Sequence, residues 1–252
     1  MIEAQDLTVG YGSNVVLAGV SLSFSAGEIT ALIGANGCGK STLLRAIAGI
    51  SRPLAGAVYL HGQPISALGR RQIARSLAFQ SQSPEAPEGI SVRQLVEHGA
   101  FARNPLFSRP DRRDVNAALA RVDLDSFAER PFSALSGGER QRAWIALVLL
   151  QAPEMILLDE PTSFLDLGYQ IETLRLLDAI RRERGTGIVM VLHDINQAAR
   201  FADRIIALHA GRVHCQGPPA KVIDAALLQT LFRAKVRVDQ DHAARPFVTP
   251  LW

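Results

Sequence analysis

Cysteine is scarce: Cys38 and Cys215 are the only two in 252 residues. Their spacing suits neither a metal-ligand set nor a disulfide framework, which points to a reducing compartment. Long apolar runs are missing as well. The longest helical candidate, Ala143 to Leu150, is closed by Gln151, far short of the ~18 to 20 residues that cross a bilayer. The opening Met1-Ile2-Glu3-Ala4-Gln5-Asp6 lacks the basic-then-apolar profile of a secretory leader, so a cytoplasmic protein is expected. Charge of one sign is not in excess either. The 27 Lys+Arg against 24 Asp+Glu leave a formal +3, too small a bias to imply nucleic acid without a concentrated patch. Internal repeats and low-complexity stretches are absent from the sequence.

What is present is apolar content, 48% of the chain, enough to bury the core of one large domain or of a domain with an insert. Glu28-Ile29-Thr30-Ala31-Leu32-Ile33 reads as a short buried strand running into a glycine-rich turn, with a helix from Ser41 to Ile50 closed by Gly49. Met155-Ile156-Leu157-Leu158 and Ile188-Val189-Met190-Val191-Leu192 are continuous apolar runs, as strands covered on both faces of a parallel sheet should be. Ile2 to Val9, Val15 to Phe24 and Ala57 to Leu60 alternate like half-exposed antiparallel strands. From about Pro84 to Gln151 the texture becomes Arg- and Ala-rich and helical, including Val92 to Gly99 and Asp114 to Leu124. Beyond Gly217, Pro218 and Pro219 precede an apolar helix, Val222 to Phe232, and a loose polar tail.

The chemistry concentrates at strand ends. Gly34-Ala35-Asn36-Gly37-Cys38-Gly39-Lys40-Ser41-Thr42 satisfies G-x-x-x-x-G-K-[ST] between a strand and a helix. Its glycines let successive N–H groups point inward, and the helix adds its positive end, making a nest for a phosphate. Lys40 would reach the outer phosphates, and Ser41 would offer a hydroxyl to Mg²⁺. Cys38 occupies a variable position of the loop and reads first as a small residue tolerated there; the alternative is a thiol made unusually reactive by the positive nest. Asp159 and Glu160 follow the strand Met155 to Leu158 directly. Asp159 suits the metal, and Glu160 suits a base that orients and deprotonates an attacking water. His193 ends the next apolar strand, placed to hold a γ-phosphate oxygen and that water in line.

A second nest follows. Leu135-Ser136-Gly137-Gly138-Glu139-Arg140-Gln141-Arg142 opens a helix, with Ser136 as N-cap and two glycines exposing backbone donors. A chain with one complete phosphate loop has no evident use for another nest in the same site.

With these motifs together, the sequence resembles the ABC-transporter ATPases over nearly its whole length. Gly34 to Thr42 is similar to the Walker A motif, Leu135 to Gln141 to the ABC signature, and Met155 to Glu160 to Walker B. Ser163-Phe164-Leu165-Asp166 resembles the D-loop, and His193 the switch histidine. Tyr11 matches the aromatic residue that stacks on adenine. Gln82 falls where the family's Q-loop glutamine lies, contacting Mg²⁺ and the partner, with Gln80 as the competing assignment. Glu139 stands where Gln is commonest in the signature, and Phe164 where Ala is usual in the D-loop.

The resemblance implies an α/β fold: a phosphate-loop (RecA-like) core with a mainly parallel sheet, an N-terminal antiparallel β subdomain and a helical insert. Residues 1–83 and 152–216 would form the core, 84–151 the insert ending in the signature helix, and 217–252 a C-terminal helix and tail. It also implies that two copies clamp two ATP molecules head to tail, so that Ser136, Gly137 and Gly138 complete the partner's site. The expected partners are a second copy, membrane permease subunits and, indirectly, a substrate-binding protein, with the chain peripheral on the cytoplasmic face of the inner membrane. Pro87 to Gly99, Phe164 to Ile171 and Ala244-Arg245-Pro246 resemble the importer branch for ferric siderophores, haem and cobalamin, the siderophore ATPases most. Arg103, Arg109, Arg112 and Arg113 give a foothold to a competing class, ABC ATPases acting on nucleic acid, though the double cassette or long coiled coil usual there is missing. A small-molecule phosphate-loop kinase would leave Leu135 to Gln141 without a purpose.

Overall fold

The computed structural model describes residues 1–102 and 110–251. In chain order the strands are β1 (Ile2–Tyr11), β2 (Asn14–Phe24), β3 (Ile29–Ile33), β4 (Ala55–Leu60), β5 (Gln63–Pro64), β6 (Leu77–Gln80), β7 (Met155–Leu158), β8 (Gly187–Val191), β9 (Arg204–His209), β10 (Arg212–Gly217), β11 (Val236–Gln240) and β12 (Pro246–Pro250). The α-helices are α1 (Lys40–Ile47), α2 (Arg70–Ser76), α3 (Val92–Glu97), α4 (Arg112–Ala120), α5 (Gly137–Gln151), α6 (Leu167–Arg184), α7 (Ile195–Phe201), α8 (Pro219–Val222) and α9 (Ala225–Phe232).

Six strands form the central sheet in the order β10-β9-β3-β8-β7-β6. The β9–β3, β3–β8, β8–β7 and β7–β6 pairs are all parallel, and only β10 runs against its neighbour. Every residue of β3, β7 and β8 is buried, as continuous apolar runs require. Their alternate side chains divide between two cores. Ile29, Ile33, Ile156, Leu158, Ile188 and Met190 face the helical side, while Leu32, Leu157, Val189 and Val191 face α1 and the second sheet. Each such aliphatic side chain, fully buried, is worth about 1.5–3 kcal/mol.

The second sheet, β2-β1-β4-β5, is antiparallel throughout. One face carries Ile2, Leu7, Leu17, Phe24 and Val58 into the core shared with Leu43, Leu44 and Ile47 of α1. Helix α1 is thereby held between the two sheets, which fixes the loop that precedes it. On the other side, α3, α4 and α5 bury Val92, Leu95, Val115, Leu119, Ile145 and Leu149 in one cluster with the central sheet. A capping box at Ser91 and Gln94 starts α3.

The C-terminal part departs from the sequence reading. The expected helix from Val222 is broken: α8 ends at Val222, and Asp224 then caps α9 by accepting a hydrogen bond from the Leu227 N–H at 2.7 Å. The expected loose tail is a hairpin, β11–β12. Asn196 of α7 pins it, donating to the Val248 carbonyl at 3.1 Å and accepting from the Val248 N–H at 2.7 Å. No helix among the described residues is long and apolar enough to cross a membrane.

Candidate active site

The parallel strands β3, β8, β7 and β6 are neighbours, so their carboxyl ends bring four loops together along one edge. Open α/β sheets hold their ligands at that edge. The ends carry the Gly34 loop, His193, the Asp159-Glu160 pair, and Gln80 with Gln82.

The Gly34 loop is tightly built. Gly34 has φ +145°, and a Cβ there would lie 2.3 Å from the Leu208 carbonyl oxygen, so only glycine fits. Gly39 is left-handed and no side chain caps α1, which leaves the first-turn N–H groups open to an anion. Lys40 is buried, its Nζ donating to the carbonyls of Gly34 at 2.8 Å and Ala35 at 3.1 Å. The loop thus folds its own cation across its mouth, ready to exchange two carbonyls for phosphate oxygens. Thr42 is buried, while Tyr11 at the end of β1 is 52% exposed. The Tyr11 hydroxyl lies close enough to Thr42, Ser51 and Arg45 for them to lower its pKa against the opposing effect of burial. Asn36 and Gly37 form the exposed tip of the loop.

Cys38 fits the first of its two readings, a small residue tolerated in the loop. Its side chain is 6% exposed and belongs to the core under the loop, and burial pushes its thiol pKa up. Its N–H is taken by the Ala35 carbonyl at 3.3 Å. A buried thiol with a raised pKa has no ground for unusual reactivity.

The carboxylates divide as their positions suggest. Asp159 is buried, and Ser41 Oγ donates to its Oδ1 at 2.9 Å. Burial raises its pKa, the Ser41 hydrogen bond opposes this, and the charge of Glu160 adds to the rise. The two oxygen donors, one from the loop and one from β7, suit a hard cation that keeps most of its water, so Mg²⁺ fits here. Glu160 lies at φ +56°, a conformation that costs a non-glycine residue about 1–3 kcal/mol and gathers at functional sites. Its Oε1 is 2.5 Å from His193 Nε2, and its Oε2 accepts from Ser163 Oγ at 2.7 Å and Gln82 Nε2 at 2.5 Å. Burial works against ionisation of Glu160, but the hydrogen bonds from His193 and Ser163 outweigh it and hold the carboxyl below its ordinary value. Ser163, read in the sequence only as the start of the D-loop stretch, is the partner of Glu160 that was not foreseen; a hydroxyl three residues after the glutamate, in a turn, was the available signal.

Gln80 and Gln82 separate clearly. Gln82 reaches Glu160, whereas Gln80 is buried and donates to Gln141 Oε1 of α5 at 2.8 Å.

The second nest opens α5. Ser136 Oγ accepts from the Glu139 N–H at 3.4 Å, and the Ser136 N–H donates to Glu139 Oε2 at 2.7 Å. This reciprocal capping box is one that Glu and Gln can both close, so Glu139 keeps the helix start intact where the family prefers Gln. The backbone N–H of Ser136 holds the Glu139 carboxyl below its ordinary pKa. A Cβ on Gly138 would lie 2.7 Å from the Tyr169 ring, so glycine lets α5 and α6 meet. The Arg142 guanidinium lies 5.3 Å from the other partner in this joint, the Tyr169 ring centre. Among the described residues, no hydrogen bond or ion pair joins this nest to the phosphate loop.

Of the four arginines considered for nucleic acid, Arg103 and Arg109 lie outside the described residues. Arg112 and Arg113 open α4 between Asp111 and Asp114, which offset them.

Residues 17–163 match the ABC transporter family, a span that includes the phosphate loop, the Ser136 nest, Asp159, Glu160 and Ser163. The chain is 46% identical over 253 residues to the achromobactin transport ATP-binding protein CbrD of Dickeya dadantii (strain 3937), covering 99% of this chain and 93% of that one. It is 44% identical over 243 residues to the iron(3+)-hydroxamate import ATP-binding protein FhuC of Bacillus subtilis (strain 168), covering 95% and 90%. Among solved structures, the dimeric bacterial ABC transporter cassette MJ0796 superposes with a TM-score of 0.77 at 29% identity, over 86% of this chain and 98% of that one. Motifs, geometry and kinship agree: the chain belongs to the ABC transporter family, as one of its ATP-binding transport ATPases.

Proposed function

We propose that the chain hydrolyses ATP as one half of a two-chain clamp and so powers import of an iron–siderophore complex through a separate membrane permease, lying against that permease at the cytoplasmic face. One observation carries the clamp: the Ser136 nest opens α5 on an exposed turn, and among the described residues no hydrogen bond or ion pair joins it to its own chain's phosphate loop. A second copy would supply one. The cargo rests on kinship with iron(3+)-hydroxamate and achromobactin transport ATPases, since nothing in the site itself recognises a chelate.

In this reading Lys40 and the N–H groups of Gly39 to Thr42 bind the phosphates, and Tyr11 meets the base. Ser41 and Asp159 would hold Mg²⁺, assisted by Gln82, and the ion when bound neutralises charge on the phosphate oxygens. Glu160 takes the proton of the attacking water. His193 and Gln82, which hold Glu160 in the free chain, position that water and the γ-phosphate. Ser136, Gly137 and Gly138 of the second copy close the site, so catalysis is mainly placement and charge stabilisation.

Deleting the gene in its own organism and measuring uptake of radio-iron bound to siderophores tests the whole reading. Uptake should be lost, return with the unaltered gene and stay lost with Glu160→Gln. Unchanged siderophore uptake, with loss of a different cargo, would overturn the import assignment.

A further inference from the structure

Between α6, α7 and the β11–β12 hairpin lies a cavity of about 610 Å³, within the range of about 300–1,000 Å³ that holds small organic ligands. Among the described residues, none of Gly34 to Thr42 lines it. One wall is apolar. Leu167 of α6 and Phe247 of β12 line it with 67% and 49% of their surfaces exposed, beside the half-buried Ile171 and Phe201.

The polar part of the lining is cationic in effect, because all four acids there are already committed. Asp178 is held by Arg181 at 2.6 Å and Arg182 at 2.9 Å. Asp194 accepts from the Gln197 N–H at 3.0 Å, and Asp203 from the Ile29 N–H at 2.9 Å. Asp241 folds the hairpin turn, accepting from the N–H groups of Ala243 at 2.8 Å and Arg245 at 2.9 Å, with Arg200 only within 3.9 Å. Arg175 and Arg245 also line the cavity, and among the described residues their side chains have no hydrogen bond or ion pair. Two guanidiniums are thus unspent beside an apolar wall.

The cavity also reaches the catalytic base through hydrogen bonds. Gln197 lines it and donates from Nε2 to Gln170 Oε1 at 2.6 Å; Gln170 Nε2 donates to the Leu165 carbonyl at 2.9 Å, and Ser163 of the same turn holds Glu160. Gln197 is 9% exposed, and its Oε1 has no hydrogen-bond partner. An amide satisfied on one side only is a joint that a neighbour can turn. Asp194, in the same lining, follows His193, another partner of Glu160.

We infer that this cavity is a regulatory site for an amphipathic organic anion, a phosphate or carboxylate carried on an aromatic or aliphatic body. The anion pairs with Arg175 and Arg245, and the body lies on Phe247 and Leu167. Occupancy lowers hydrolysis by shifting the chain from Gln197 through Gln170 to Leu165, and with it the turn that holds Glu160. The regulation rests on Glu160 as the base proposed above; the site itself does not.

The test titrates full-length protein, its phosphate loop filled with ADP and Mg²⁺, with phenyl phosphate as the probe in a calorimeter. One molecule should bind per chain at about millimolar concentration or below, more tightly than inorganic phosphate, which lacks the body. Arg175→Ala and Arg245→Ala should each weaken it about tenfold or more, and Phe247→Ala about threefold or more. Arg70→Ala, which removes an exposed cation of α2, should change nothing. At saturating ATP the probe should lower kcat about fivefold. Gln170→Leu, outside the lining, should keep the binding and lose that effect. Absence of binding, or binding that both arginine variants leave within about twofold, overturns the site. Binding with kcat unchanged, or inhibition that persists in Gln170→Leu, overturns the regulation. Full turnover in Glu160→Gln would overturn the base and leave the binding result standing.

Discussion

The two anion nests of this chain are built from the same parts, glycines before a helix N-terminus, and end in opposite states. The Gly34 nest is sealed by its fold: Leu208 closes on Gly34, and Lys40 lies across the loop on two of its carbonyls. It brings its own cation, and Asp159 stands within hydrogen-bond reach of Ser41. Among the described residues no hydrogen bond or ion pair brings a cation to the Ser136 nest, and one of its N–H groups is already taken by Glu139. The first is therefore a binding site in its own right. In the proposed clamp the second acts as a lid, used against a phosphate that the other copy holds.

That contrast can be broken from either side, and the effects should fall in a definite order. Lys40→Ala removes the cation that defines the first nest. Hydrolysis should fall to background in a protein that still unfolds cooperatively, at a somewhat lower temperature because two loop carbonyls lose their donor, as measured by phosphate release beside a melting curve. Near-normal turnover would remove the phosphate loop from the mechanism.

Glu160→Gln keeps the shape of the side chain but not the base. Turnover should drop by about 10²–10⁴ while ATP is still bound, read by single-turnover kinetics and nucleotide titration. A variant with intact turnover would remove Glu160 as the base.

Ser136→Ala strips the cap from the lid without touching the loop. It should cost about 0.5–2 kcal/mol in denaturant unfolding and leave ATP affinity of the monomer unchanged. A matching loss of monomer affinity would mean that the two nests already meet within one chain.

Glu139→Gln should be the mildest change, under about 0.5 kcal/mol for so exposed a group, because Gln can close the same capping box. It carries a pH signature. The folded-state pKa of Glu139 lies below its ordinary value, so its contribution is complete above the ordinary carboxylate range and fades as pH falls through the folded pKa. The Gln variant should lose that part of the acid slope in stability-versus-pH curves. An unchanged slope would place the acid sensitivity elsewhere.

The first nest was legible in the sequence because its chemistry is contiguous. Nine residues from Gly34 to Thr42, the buried strand before them and the acidic pair after Met155 to Leu158 carry their meaning in order and spacing. What the sequence left open depends on contacts between distant residues. Spacing alone leaves Gln80 and Gln82 equivalent; one side chain turns into the interior toward Gln141 and the other reaches Glu160, 78 residues away. The hairpin of β11 and β12 reads as a polar tail because Asp, Gln and Pro dilute its alternation, and its tether to Asn196 spans 52 residues. The burial of the Cys38 side chain in the core is likewise set by tertiary packing.

The central claim is that a working site needs the phosphate loop of one copy and the Ser136 nest of another. Mixing two inactive proteins, Lys40→Ala and Ser136→Arg, tests it most directly. A heterodimer holds one site with both halves intact and one with both halves broken, so phosphate release should reappear on mixing. With random pairing it should approach about a quarter of the unaltered rate. A mixture that stays as inactive as its components, at concentrations where unaltered protein turns over, would contradict the account.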